Sequence, residues 1–570
     1  MPERASTTSI GMIPGRAAWL AAILAFLMLL AVMRADAAAT ESGFGPALRE
    51  MLAEGQHPFL AAGGIAREHD ALLQVYSSRD YAPLWIDGTR ATPQAIGLLH
   101  ALEAAHARGL RSGDYEAAAI AARLGELRSS PAQAAQFDLA LSVVGVRFLS
   151  DLHFGRATPQ AAGFHLEVPP TRLDLAEVLG KLAVSESVNT TLDGVEPPFA
   201  HYRLLRDALA RYRELALDTD LHRLPPFEGR SLNPGESYAG ATKLRRLLAA
   251  LGDLPADQAT TPDPVIAPEL VVAIEQFQRR HGLEVDGIIG QRTFAELTRP
   301  VAARVRQIEL TLERWRWLPH FEEPPIIVNI PQFRLFAFHT RVDRETEIVG
   351  MDVIVGQSFP RSRTPVFTGE IRQVVFRPYW DVPYSITVRE LLPAIRRNPG
   401  YFARNNLEIV RGPGDDAVPV PVTPENLAAL ASGSLRLRQR PGPDNSLGLV
   451  KFVLPNAFNV YLHATPAHEL FGESRRAFSH GCIRVRDPVG LAEHVFHDQP
   501  EPWSRERIER AMQEGPDSQR VRLARPVRVF VVYGTAVATE AGKVLFFDDV
   551  YGHDRRLEAL LGLEPVQSIG

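Results

Sequence analysis

The chain has 570 residues, enough for several domains at about 100–200 residues each. Hydrophobic residues make up 45% and charged residues 23%, ordinary values for folded globular protein. The formal net charge of −5 gives no sign of nucleic-acid binding, and a single cysteine, Cys482, excludes an internal disulfide framework.

Arg4 and Arg16 precede an apolar run from Ala17 to Met33, followed by Ala35-Asp36-Ala37-Ala38-Ala39. A charged segment, an apolar core and a small-residue cleavage site are the order of a secretory signal, assigned here to residues 1–39. The apolar run is slightly short of the about 20 residues that span a bilayer. A cleaved signal is expected, with an uncleaved inner-membrane anchor as the alternative. Export places the rest of the chain in an oxidising compartment, where a free thiol is uncommon without a purpose.

From 42 to 221 the pattern is helical, rich in Ala, Leu, Arg and Glu, as in Leu98-Leu99-His100-Ala101-Leu102 and the apolar stretch Leu139 to Leu149. His153, His165 and His201 are scattered there and read as surface or packing residues, so the region is expected to be a helical scaffold. Pro, Gly and Ser between Pro225 and Ser237 mark a linker. A small helical unit over 236–300 follows. Val271, Ile274 and Phe277 recur at helical spacing, Gly282 stops that helix, Asp286-Gly287 signals a turn, and a short helix runs from Thr293 to Leu297. Val305, Ile308, Leu312 and Trp315 form the buried stripe of a linking helix over 301–324, closed by Pro324-Pro325.

From Ile326 the period becomes strand-like: 326–330, 333–338, 353–355 and 374–376 are short β-type runs between turn residues. This opens a β-rich domain over 325–505. Residues 384–448 form a long insertion rich in Arg, Pro and Gly, and loops of that length are usually functional or disordered. Tyr379, Trp380, Tyr401 and Phe402 are expected to line it. The remainder, 506–570, is expected to supply a helix and strands, Val527 to Val532 and Lys543 to Phe547, that complete the same domain.

The candidate site lies in two segments. In Phe458-Asn459-Val460-Tyr461-Leu462-His463, the residues Phe458, Val460 and Leu462 share one strand face and Asn459, Tyr461 and His463 the other. In Ser479-His480-Gly481-Cys482-Ile483-Arg484, Ile483 points inward while Cys482 and Arg484 point outward. Pairing the polar faces brings thiol and imidazole into one groove. An imidazole there can take the thiol proton, since a thiol near its reference pKa of about 8.5 is only partly ionised at neutral pH. Gly481 allows close approach of backbone to a carbonyl, and nearby amides can hold an oxyanion. Asp487 and Pro488 read as the N-cap and first residue of a helix that buries Leu491 and Val495.

Two resemblances bear on these readings. Phe277 to Leu283, with Asp286-Gly287-Ile288-Ile289-Gly290 and Thr293, resembles the peptidoglycan-binding type 1 module. His463, its spacer and Ser479-His480-Gly481-Cys482-Ile483-Arg484 resemble the signature of the L,D-transpeptidases, the YkuD family, in which Asn is commoner than Arg at the last position. Arg484, the stretch Tyr379 to Ile386, Leu391-Leu392-Pro393 and Arg440 to Asn456 are similar to a large multidomain branch of that family, with a scaffold and a wall-binding module ahead of the catalytic domain.

The resemblance implies a multidomain α+β periplasmic enzyme that needs no cofactor. Cys482 attacks the bond to D-alanine in a tetrapeptide stem of peptidoglycan, with His463 as base, and an amine of a second stem resolves the thioester into a 3→3 crosslink. Ser479, His480, Gly481 and Arg484 shape the site or hold the oxyanion. Asn459, Tyr461, Trp380 and Tyr384 contact substrate, the insertion caps the site, and carbapenems acylate the thiol. Three alternatives stay open: water as acceptor, giving a carboxypeptidase or endopeptidase; a zinc site from His463, His480 and Cys482, which lacks a close-spaced ligand pair; and a non-catalytic wall-binding protein.

Overall fold

The computed structural model describes residues 43–60, 64–167, 173–319, 323, 325–338, 348–359, 362–398, 400–564 and 566. The expected signal, 1–39, lies outside them. Among the described residues no helix is long and apolar enough to cross a membrane. The chain is a multidomain α+β protein that divides into two compact units: residues up to 153 with 172–196, and 154–171 with 197–570.

The first unit is helical and is organised about Pro131–Phe154, a helix buried on nearly all sides. Helices of that kind occur only where neighbours cover every face, and here Leu48, Leu72, Trp85, Leu98 and Leu179 are among those that do so. One carboxylate sits inside. Asp138 accepts hydrogen bonds from the Trp85 and Leu84 amides, at 2.7 and 3.0 Å, and from the Tyr76 hydroxyl at 2.6 Å. Burial raises its pKa to about 6.

The scaffold expected to reach 221 ends earlier. Ala200–Leu215 turns its buried face, Tyr202, Leu205, Leu209 and Tyr212, into the core of the small module, beside Leu244, Phe277, Ile308 and Leu312. In that module the Gln278 side chain ties the motif together. It donates to Asp286 Oδ1 at 2.8 Å and to the Ile288 carbonyl at 2.9 Å, and accepts from the amides of Asp286 and Gly287. Gly287 holds φ +69°, the left-handed region a side chain disfavours. The linking helix is Val301–Arg316, with Ile308 and Leu312 fully buried.

The C-terminal domain is a closed sheet. In chain order its strands are β1 (Ile326–Asn329), β2 (Arg334–Ala337), β3 (Val349–Gly356), β4 (Phe367–Phe376), β5 (Val450–Val453), β6 (Leu462–His463), β7 (Ala477–Ser479), β8 (Ile483–Val485) and β9 (Gln519–Val532). The spatial order is β7-β3-β8-β6-β5-β4-β9-β1-β2, and β2 pairs back onto β3, closing a ring from which β7 branches. Closure leaves few free edges and an apolar interior that includes Val328, Leu335, Val353, Val374, Phe452, Leu462 and Ile483.

Of the two late strands expected in this sheet, only Val527 to Val532 joins it, as part of β9. Val544–Phe546 instead pairs with Ala536–Ala538 and packs against the module's helices. The insertion is a subdomain rather than a loop. Its strands Val418–Val420, Leu407–Arg411 and Arg436–Gln439 form an antiparallel sheet with Trp380–Asp381 just ahead of it in the chain, and Ile409, Leu430 and Leu437 are fully buried in its own core with Ile395 of Leu392–Arg397.

Candidate active site

The site is built by register. β5 and β6 are antiparallel with Lys451 opposite His463, and β6 and β8 are parallel with His463 beside Arg484. Lys451, His463 and Arg484 therefore stand abreast on three adjacent strands and share a face. Two residues earlier on the same face, Tyr461 and Cys482 form the next row. The inward alternation is as expected, with Val460, Leu462, Ile483 and Val485 buried. Phe458 differs: it stands 37% exposed and lies tilted against His165, with ring centroids 4.7 Å apart.

The partner that register gives Cys482 is Tyr461, not His463. The Tyr461 amide and hydroxyl favour the thiolate, and the charges of Lys451 and Arg484 act in the same direction. Burial outweighs them and leaves the thiol above its ordinary pKa. Lys451 Nζ lies 3.8 Å from the centre of the Tyr461 ring, its own pKa lowered by burial. The Trp380 side chain acts on the Tyr461 hydroxyl, and its strand pairs with Arg436–Gln439 of the insertion.

His463 is buried, and its Nδ1 faces the Ala464 carbonyl at 2.6 Å. A carbonyl only accepts, so the proton sits on Nδ1 and Nε2 is the basic nitrogen. Burial, with Arg484 and then Lys451 beside it, drives its pKa down to about 3. The resting pair is therefore a neutral thiol and a neutral imidazole, with the proton still on sulfur.

The turn that carries the thiol is clamped from beneath. Ser479 Oγ donates to the Cys482 carbonyl at 2.5 Å and accepts from the Gly481 amide at 3.1 Å. Thr364 Oγ1 donates to the Gly481 carbonyl at 2.8 Å and accepts from the Gly356 amide at 2.9 Å. Gly481 adopts φ +121°, which L side chains rarely do. A Cβ there would meet nothing closer than the Arg363 carbonyl at 3.6 Å, so its conformation, rather than space, calls for glycine.

The remaining expected site residues fall differently. Asn459, at φ +54°, presents its backbone carbonyl to the sulfur at 3.8 Å rather than its side chain. His480 points away from the thiol to Glu390 of the insertion, Nε2 to Oε1 at 2.8 Å. Tyr384 is exposed and donates to the Ala431 carbonyl at 2.8 Å, within the insertion. Asp487 caps Pro488–His497 through the Gly490 amide at 2.9 Å. Among the described residues no group of three or more His, Cys, Asp or Glu is placed to hold a metal ion.

Sequence reasoning missed Lys451, Glu390 and Thr364. Lys451 had a signal, since it alternates with the apolar Val450 and Phe452, and the chain's only other lysines are Lys181, Lys243 and Lys543. Glu390 and Thr364 had none, because their contacts span 90 and 117 positions.

Comparison with known proteins agrees with this architecture. Three family models match: a scaffold domain over residues 70–209, a "Putative peptidoglycan binding domain" over 237–297, and an L,D-transpeptidase catalytic domain over 324–502. A Haemophilus influenzae protein named "Putative L,D-transpeptidase" is 30% identical over 254 residues, 44% of this chain and 49% of that protein, so the chain spans about half the length of that relative. The match over 324–502 takes in every strand of the site, from β1 to β8, and both of its histidines. Over that stretch the chain is similar to the YkuD family of L,D-transpeptidase catalytic domains.

Proposed function

We propose that the protein is a periplasmic transpeptidase that joins peptidoglycan stems by 3→3 crosslinks through a thioester on Cys482. The observation that carries this reading is the single thiol set beside Tyr461, on the polar face shared with His463, Lys451 and Arg484, and linked through Trp380 and Tyr461 to the insertion.

Sγ bonds to the carbonyl carbon of the third residue of a tetrapeptide stem as its proton passes to His463 Nε2. The imidazolium so formed stands between Lys451 and Arg484, which make it a strong acid. It protonates the leaving D-alanine nitrogen as the C–N bond breaks. An amine of a second stem then attacks the thioester, the S–C bond breaks, and the proton released by the amine returns to sulfur. The Gly481 amide is engaged by Ser479, so the oxyanion donor is the Cys482 amide, aided by the Tyr461 hydroxyl. The insertion, held over the turn by Glu390 and Trp380, limits water and favours the amine over hydrolysis. The module over 236–300 holds the enzyme on the wall.

The test is incubation of the mature protein with purified disaccharide-tetrapeptide and mass spectrometry of the products. Loss of D-alanine with dimer formation supports transfer. Tripeptide alone shows hydrolysis, and unchanged substrate defeats the reading.

A further inference from the structure

Away from the thiol, a cleft of about 400 Å³ opens between the small module and the sheet. Arg279 and Arg292 line it from the module, and Arg334, Arg475 and Arg476 from the sheet. Among the described residues Asp352 and Asp548 are the carboxylates that line it, two against five arginines, in a chain whose net charge is −5. His281, in its wall, is buried and held neutral by desolvation and its arginine neighbours.

The cations are unevenly satisfied. Asp352 is shared by Arg334 at 3.1 Å, Arg476 at 3.2 Å and Arg486 at 2.8 Å, so one carboxylate answers three guanidinium groups. Arg292 reaches Asp548 only at 3.6 Å, with both side chains half exposed. Among the described residues Arg279 and Arg475 have no carboxylate partner, and both are exposed; Arg475 contacts only the Ser358 hydroxyl. Phe333 and Phe336 lie under Arg476 and Arg334, with guanidinium carbons 5.5 and 5.7 Å from the ring centres, and fix those two forks. Arg476 spends its donors on the Val353, Glu473 and Phe333 carbonyls and on Asp352, so Arg279, Arg292 and Arg475 are the guanidinium forks with spare donors, suited to bidentate capture of oxyanions.

The position of the cleft gives the anion a role. One wall carries His281-Gly282-Leu283 of the module's motif. The other carries Ser474-Arg475-Arg476, which runs directly into β7 and the Ser479 to Cys482 turn.

We propose that this cleft is a binding site for a carboxylate-bearing stem peptide of peptidoglycan, distinct from the stem bound at Cys482. The inference rests on the function proposed above for its ligand class. A strand held there is anchored a few residues of chain from the reacting turn, by module and catalytic domain together.

The test uses the full chain carrying Cys482→Ala, with and without Arg279→Gln and Arg475→Gln, two exposed positions whose loss breaks no ion pair. Anisotropy of a labelled disaccharide-tripeptide, which lacks the scissile bond, should show affinity falling about 10-fold in the arginine variant. Binding should weaken with added salt, and an analogue with its stem carboxylates amidated should bind the unsubstituted cleft equally poorly. Circular dichroism and melting confirm that the variants are folded. Equal affinity with and without the arginines overturns the site, as does pyrophosphate displacing the tripeptide at far lower concentration than a free stem peptide, which would assign the cleft to phosphates. If wild-type protein gives no product from tetrapeptide while the arginine variant still loses binding, the catalytic reading fails and the cleft stands. If product forms and the arginines do not matter, the cleft fails alone.

Discussion

Two of the buried polar clusters in this chain, one in the helical unit and one at the thiol, obey opposite rules. Around Asp138 in the helical unit each carboxylate oxygen has a donor, from the Trp85 and Leu84 amides and the Tyr76 hydroxyl. Around Cys482 the polar groups oppose one another. Two cations flank one imidazole, burial raises the thiol's pKa, and Arg484 Nε is buried with no hydrogen-bond partner among the described residues. A satisfied buried cluster holds a fold together, whereas an unsatisfied one waits for a ligand to complete it. Burial alone does not separate the two clusters, since Asp138 and His463 are both buried.

The comparison breaks most severely at the nucleophile. Cys482→Ser should abolish crosslinking with no change in melting temperature, because the hydroxyl lacks thiolate reactivity. Comparable turnover by the folded variant would remove the thiol from the mechanism. A carbapenem adduct, read by intact mass, should appear on wild type and vanish in Cys482→Ala. Activity should also persist in EDTA.

His463→Ala should slow acylation by roughly 10²–10⁴-fold, the usual worth of a positioned base. The same residue has a stability signature with a determined sign. Its folded pKa of about 3 lies below the unfolded value of about 6.5. Between those values the unfolded chain binds the extra proton, so stability is lost as pH falls, by about 1.4 kcal/mol per pH unit for one such group. Melting followed from pH 6.5 to 4 should show a shallower slope in His463→Gln. An unchanged slope would mean that the imidazole is not held neutral.

Asp138→Asn tests the other cluster. An amide cannot accept from both backbone donors and the phenol, and the cost is about 2 kcal/mol. Calorimetry should show the helical unit melting lower, while crosslinking by the folded protein at 25 °C is unchanged. Lys451→Met removes a cation that favours the thiolate. Iodoacetamide kinetics should report a higher thiol pKa in that variant, with kcat/KM falling by about 10-fold, and a smaller thiol shift in His463→Ala. The smallest effect is expected at Glu390→Gln. Its pairing with His480 is solvent-exposed and worth about 1 kcal/mol or less. A change there should appear in the ratio of tripeptide to dimer, as the insertion loosens and water competes.

Much of the site was legible because strand alternation is local. Val460, Leu462 and Ile483 fall inward wherever their strands go, and that sends Tyr461, His463, Cys482 and Arg484 outward. The Asp487-Pro488 cap and the Gly282 stop were equally readable, since a helix end is decided within a few residues. Other readings failed at long range. Val544–Phe546 has strand composition, but its partner is Ala536–Ala538 on the module side. The insertion reads as a loop because its strands are short and pair across Arg- and Pro-rich turns, yet they bury a core of their own.

The sequence by itself singled out Cys482 and His463 as candidates and determined the inward and outward faces of their strands, because these follow from composition and from a period of 2 residues. The tertiary structure alone decided which outward residues meet. Register set Tyr461 beside Cys482 and placed Lys451, His463 and Arg484 abreast, joining positions 451, 463 and 484. A shift of one residue in either pairing preserves every local preference of the backbone but turns that strand's polar residues into the core. Only packing of the closed sheet selects the register, so the charge surrounding the imidazole, and with it the protonation state of the site, belongs to the fold.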